Sequence, residues 1–276
     1  MKRRAANLLF FILMCVLAVI FVLPILIVLF NSFKGQFFIA SAPFRLPTVD
    51  TFAGIRNYVA GIEKIGFFSA LGYSFFITVT SVFLLVLLSA MTAWFLVRVK
   101  NRYTSALYYT FVFSMIVPFQ MVMYTMSRMA NLLGLENPVG IVVMYLGFGA
   151  GLSVFLFSGF VRSIPIAIEE AAQIDGCNPL TMFFRVIFPL LRPSAITVAV
   201  LNAMWIWNDY LLPYLVIGTR YKTLPVAVQY LQGGYGSRDM GALMAMLVLS
   251  ILPIILFYAL AQKYIIRGVV AGAVKG

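Results

Sequence analysis

The sequence predicts an all-α integral membrane protein: six transmembrane helices, with a polar helix-turn-helix held in the cytoplasm between the fourth and fifth. Three observations predict it. Of 276 residues, 63% are hydrophobic and only 10% charged, and the mean hydropathy of +1.03 lies far outside the range of a water-soluble domain. The apolar residues gather into six continuous runs, near 7–30, 71–97, 105–124, 139–160, 195–217 and 242–262. Each is close to the ~20 residues a helix needs to cross hydrocarbon. Finally, the interval 161–194 is polar and ionised although apolar runs flank it on both sides. Helices rather than a barrel follow because the runs are continuous instead of alternating, and backbone groups in lipid must be satisfied within their own segment.

The first run follows Lys2, Arg3 and Arg4, as the core of a signal peptide would. It is too long for one, contains Pro24 and lacks a small-residue cleavage site, so it reads as an anchor. The second run is unbroken. The third is blurred by Pro118 and Gln120 and merges into a Met-rich stretch ending near Arg128, whose methionines are most simply lipid-facing or gap-filling. In the fourth, Gly147 and Gly151 form a small-xxx-small pair that reads as a helix-packing notch. Pro118, Pro213 and Pro253 are places where spans can kink.

Six spans with the basic N-terminus inside put 1–6, 98–104, 161–194 and 263–276 in the cytoplasm. These carry twelve Lys and Arg over about 61 residues, against eight over about 78 on the other side, which is the positive-inside bias. The expected location is the cell membrane, multi-pass, with both termini cytoplasmic. The net charge of +12 is explained by this topology and by anionic headgroups, so no nucleic-acid partner is expected. Cys15 lies in a span and Cys177 in the cytoplasmic interval, so the two do not pair, and with no His present a metal site of the usual nitrogen and sulfur kind is not expected.

Asp209 is the one acidic residue placed inside a span, whereas proton pumps and secondary transporters bury several ionisable groups. There is also no His base and no nucleophile elbow for a hydrolase. If the chain moves a solute, its energy comes from elsewhere.

Within 161–194, Ser163 can cap a first short helix with Pro165 in its first turn and Glu169 and Glu170 inside it. Gly176 can end it in the left-handed conformation, and Asn178 and Pro179 then open a second helix that Pro189 stops. A short helix exposing Ile164, Ile168, Ala171 and Ala172 beside carboxylates suits a groove on another protein. The competing reading is an amphipathic helix on headgroups, which would favour Lys and Arg over paired glutamates.

Here the sequence resembles a family. Glu170, Ala171, Ala172 and Gly176 spell E-A-A-x-x-x-G, and V-I-F-P at 186–189 stands where the family writes I-x-L-P, departing only by the apolar Val186 and Phe188. This resembles the coupling loop of permease subunits of bacterial ABC importers. W-N-D-Y-L-L-P at 207–213, T-L-P-V-A at 223–227 and the ending Q-K-Y-I-I-R-G-V-V-A-G-A-V-K-G at 262–276 are similar to sugar permeases of the maltose-transporter type, the second permease of the pair.

The resemblance implies the type I importer permease fold and a set of partners: a second permease of six or more spans, two ATP-binding subunits and an extracytoplasmic sugar-binding protein. It implies that ATP and magnesium are bound by the ATPase and none by this chain, which has no G-x-x-x-x-G-K-[ST] phosphate loop and is not itself an enzyme. The loop residues it implies are Glu169, Glu170, Ala171, Ala172, Asp175, Gly176 and Pro189, with Glu170 the anionic contact in the ATPase cleft and Asp175 pairing with Arg185 or capping the turn. The tail after Lys263 is expected to reach the ATPase pair, so that deleting Val269 to Gly276 weakens coupling, and the outer loop 31–70 is a place for the binding protein to touch.

For the substrate path the candidates are Asn202, Trp205, Asn208 and Asp209, the first, second and last sharing one face at i, i+3 and i+7. Amides and a carboxylate beside an aromatic ring suit sugar hydroxyls and C–H faces. Trp205, Trp207, Tyr210 and Tyr214 read equally as an interfacial belt, and the companion permease can carry the sugar site. The cargo reads as a di- or oligosaccharide, with a polyol phosphate such as glycerol phosphate as the alternative. From a different class, a channel or secondary carrier with a regulator-binding loop remains.

Overall fold

The computed structural model describes residues 2–233 and 238–273, with 263–273 and residues 2, 3, 5 and 6 as backbone only. Among the described residues the chain is helical, with one isolated antiparallel bridge between Lys34 and Phe52. The helices are α1 (Lys2–Ser32), α2 (Gln36–Ser41), α3 (Arg56–Ile65), α4 (Phe67–Arg98), α5 (Arg102–Ile116), α6 (Phe119–Leu132) and α7 (Pro138–Val161). After these come α8 (Ile166–Ile174), α9 (Pro179–Met182), α10 (Phe188–Leu190), α11 (Arg192–Asn208), α12 (Leu211–Val216), α13 (Leu224–Gln229) and α14 (Met240–Ala273). Among the described residues four segments, Asn7–Ser32, Phe67–Arg98, Pro138–Val161 and Met240–Gln262, are long and apolar enough to cross a membrane unbroken.

The third and fifth apolar runs are not single straight helices. α5 and α6 meet at 105°, because Pro118 disfavours helical backbone at Val117, which is extended at φ −71° and ψ 116°. The run expected at 195–217 starts earlier, at Arg192, and stops at Asn208. A continuous helix there would need Pro213 to donate to the Asp209 carbonyl, which proline cannot do. Asp209 is instead extended, and α12 starts two residues on. Pro253, by contrast, sits inside an uninterrupted α14.

The chain forms two compact units, Met1–Ser69 with Val226–Pro253, and Ala70–Pro225 with Ile254–Gly276. In the first, none of the most apolar window of α1 is buried within the chain, and Phe11 and Phe21 stand exposed. Such a surface requires hydrocarbon or another helix against it. Following α1, Lys34 is fully buried, donating from Nζ to the Ala42 carbonyl at 2.9 Å, and Asn57 Nδ2 donates to the carbonyls of Ser32 and Lys34. Burial lowers the pKa of Lys34 below the usual lysine value.

Among the described residues the second unit holds two buried clusters threaded by α4, α7 and α11. One joins Ala90, Ala93 and Leu96 of α4 to Val154, Phe157 and Val161 of α7 and to Ala172, Phe183 and Ile187 of the polar interval. The other gathers Ile77 and Leu85 with Ile141 and Tyr145, and with Ile206, Leu212 and Val216. Of the expected glycine notch, only Gly151 is one. A Cβ there would lie 2.7 Å from the Phe111 carbonyl of α5, whereas one on Gly147 would meet nothing within 4 Å. Gly149 of α7 is also tight, since a Cβ there would lie 2.6 Å from Leu85 Cδ1.

Candidate functional site

The interval 161–194 folds as a helix-turn-helix, and its turn chemistry can be followed atom by atom. Ser163 does not cap α8: its hydroxyl turns back to the Phe160 carbonyl at 2.8 Å, and Pro165 takes the N-cap position without a side-chain bond. α8 ends with Gly176 at φ +80°, where the Gly176 N–H donates to the Gln173 carbonyl and the Cys177 N–H to the Ala172 carbonyl. That doubled closure satisfies two end carbonyls and requires a residue free to take positive φ. Asn178 Oδ1 then accepts the Thr181 N–H at 2.8 Å with Pro179 in the first turn, starting α9.

Pro189 does not stop the second limb, which continues to Leu190. The expected halt gives way to a π-helical segment, Phe183–Ile187, immediately before it. The proline ring would clash with the Arg185 carbonyl four residues back, and the wider π turn relieves that clash. The chain bends by 78° only after this limb, where α11 begins.

The two adjacent glutamates face different surroundings, since successive helical residues point about 100° apart. Glu169 is buried at 6% exposure: Arg98 Nε donates to its Oε1 at 2.7 Å and Trp94 Nε1 to its Oε2 at 3.0 Å. Glu170 is exposed, as are Ala171, Asp175 and the apolar Ile166, Ile168 and Ile174, of which Ile166 and Ile174 share its face at i−4 and i+4. Contrary to the expectation that both are exposed, Ala172 is turned inward into the α4 and α7 cluster and Ile164 packs against the same cluster. Asp175 occupies the C-cap of α8, and among the described residues its carboxylate makes no ion pair with Arg185.

At the end of α11 the four path candidates separate. Asn202 is 3% exposed and donates from Nδ2 to Ser153 Oγ at 3.0 Å and to the Val198 carbonyl, joining α11 to α7. Asn208 is exposed and donates to the Met204 carbonyl. Because α11 stops at Asn208, Asp209 is off the face that its spacing predicted. Its Oδ1 accepts the Leu211 N–H at 3.0 Å, opening α12, and its Oδ2 accepts the Tyr145 hydroxyl at 3.0 Å. The Tyr145 ring also meets Trp205 edge to face at 5.4 Å between centroids.

Tyr145, Trp94 and Arg98 organise these two places, and sequence reasoning missed all three in that role. A span-end arginine and interior aromatics already have an ordinary explanation, so nothing local singles them out. The tail contact expected after Lys263 cannot be placed, since only backbone is described there and 274–276 lie outside the described residues.

Comparison with known proteins fixes the class. Residues 58–271 match the family described as "Binding-protein-dependent transport system inner membrane component". Over 94% of both chains the sequence is 38% identical to the "Probable starch degradation products transport system permease protein" of Thermoanaerobacterium thermosulfurigenes. It is 32% identical, over 96% of both, to the "Multiple sugar-binding transport system permease protein" of Streptococcus mutans. The fold matches a chain of a bacterial ABC transporter involved in the import of the acidic polysaccharide alginate, with a TM-score of 0.74 at 23% identity over 95% of this chain and 97% of that one. The chain belongs to the binding-protein-dependent transport system inner membrane component family, in the branch of carbohydrate ABC importer permeases. That membership removes the reading as a lone channel or secondary carrier.

Proposed function

We propose that this chain forms half of the translocation path of an ATP-driven importer for di- or oligosaccharides and is gripped, through 161–194, by an ATP-binding subunit. The observation that carries the reading is the division within α8: Glu169 is consumed inside the chain, while Glu170 and Ala171 stand exposed among Ile166, Ile168 and Ile174. An exposed carboxylate flanked on its own helix face by the apolar Ile166 and Ile174, at i−4 and i+4, suits a groove with a basic rim.

In this reading the segment faces the cytoplasm with both termini, and the companion permease completes the path. Two ATPase subunits bind ATP and magnesium, and an extracytoplasmic binding protein delivers the sugar. Closure of the ATPases moves the segment and switches the path between inward- and outward-facing states, a rigid-body transition driven by a partner. The oligosaccharide class is supported by the names of the relatives, which include a "Melibiose/raffinose/stachyose import permease protein" of Bacillus subtilis, 34% identical over 75% of this chain.

The test is uptake into proteoliposomes by the complete transporter with its binding protein. Labelled oligosaccharide should accumulate only with ATP and every subunit present. Accumulation by this chain alone, or uptake of glycerol phosphate in place of sugars, would refute the reading.

A further inference from the structure

Arg98 is the last residue of α4, and it holds the helix-turn-helix at two points. Its Nη2 lies 2.7 Å from Glu169 Oε1 and donates to the Ile164 carbonyl at 2.9 Å, while its Nε donates to the same Oε1. One turn earlier on α4, Trp94 donates to Oε2 and packs its ring on Phe183 of the second limb at 5.8 Å. The pair is shut in, with 8% of the Glu169 side chain and 18% of the Arg98 side chain exposed. An exposed ion pair yields to water. An enclosed one cannot be opened without stranding a charge.

We propose that Glu169, Arg98 and Trp94 are positioning residues that make α8 and the last turn of α4 one rigid body. A displacement imposed on α8 is then delivered to α4 instead of being absorbed in the short non-helical link at 162–165. This rests on the reading that α8 is the docked element, and it divides the labour of neighbouring residues: Glu170 receives the partner and Glu169 passes the movement on. The apolar base of the joint agrees, since Ala172 shares one buried cluster with Ala90, Ala93 and Leu96 of α4.

The experiment uses the complete reconstituted transporter with spin labels at the exposed positions Gln173 and Val99. The distance distribution between them should be the same in the nucleotide-free and ATP-bound states, and a shift between those states overturns the proposal. In parallel, R98M/E169M removes the tie without leaving an orphan charge. The ATPase should still copurify with it while sugar moved per ATP hydrolysed falls several-fold; an unchanged ratio overturns the proposal. Glu170→Lys separates the two readings. If that variant retains its ATPase and its transport, the docking reading fails, whatever the labels show of the joint.

Discussion

The Tyr145 hydroxyl donates to Asp209 Oδ2 at 3.0 Å while Asp209 Oδ1 accepts the Leu211 N–H, so one carboxylate both ties α7 to the break after α11 and starts α12. The acidic residue that hydropathy places in mid-span is thus a structural terminus with its hydrogen bonds made.

Asp209→Ala should therefore lower stability through two losses, roughly 1 kcal/mol for the bond to the Leu211 N–H and about the same for the stranded tyrosine hydroxyl. Asp209→Asn, which keeps an acceptor for the backbone N–H, should cost less. Thermal unfolding in detergent checks the order, and the double variant with Tyr145→Phe should cost less than the sum of the single changes.

Asn202→Ala should reduce the amount of folded protein without shifting the transport constant for sugar, because the amide is spent on Ser153 and Val198. Uptake normalised to protein level decides it. A changed transport constant at normal protein level would place Asn202 in the path.

Gly151→Ala should destabilise by roughly 1–3 kcal/mol as the methyl is forced onto the Phe111 carbonyl, with Gly147→Ala close to neutral. Comparing the two melting temperatures tests whether the α5 and α7 backbones approach as closely as the packing indicates.

Asp239 opens α14 and pairs with Lys64 of α3. Burial alone would raise its pKa, but the Ala242 N–H and the Lys64 ammonium outweigh that and hold it below the usual carboxylate value. A depressed folded-state pKa means stabilisation that is full above the unfolded value, near 4, and is lost as pH falls through the folded one. Melting temperature should drop through that acid window, and Asp239→Asn should flatten the slope.

Much of the helix-turn-helix was legible because its signals are local: Gly176 at the left-handed turn, Asn178 as a cap and Pro179 in the first turn each act within four residues. Glu169 was not separable from Glu170 in this way, since its partner Arg98 is 71 positions away and a basic residue at a span end is already accounted for by topology. The fifth run read through to 217 because averaged hydropathy passes over a single Asp209. The missing signal was present in Pro213, four residues on, which removes the donor that a continuous helix would need. Pro189 misled in the opposite sense, because a π turn absorbs it.

The central claim, that another subunit's ATP cycle grips this chain at α8, is tested most directly by Glu170→Lys in the complete transporter. Membrane insertion should be normal, while ATPase copurification and ATP-driven sugar uptake are lost. Wild-type uptake with the ATPase still bound would contradict the account.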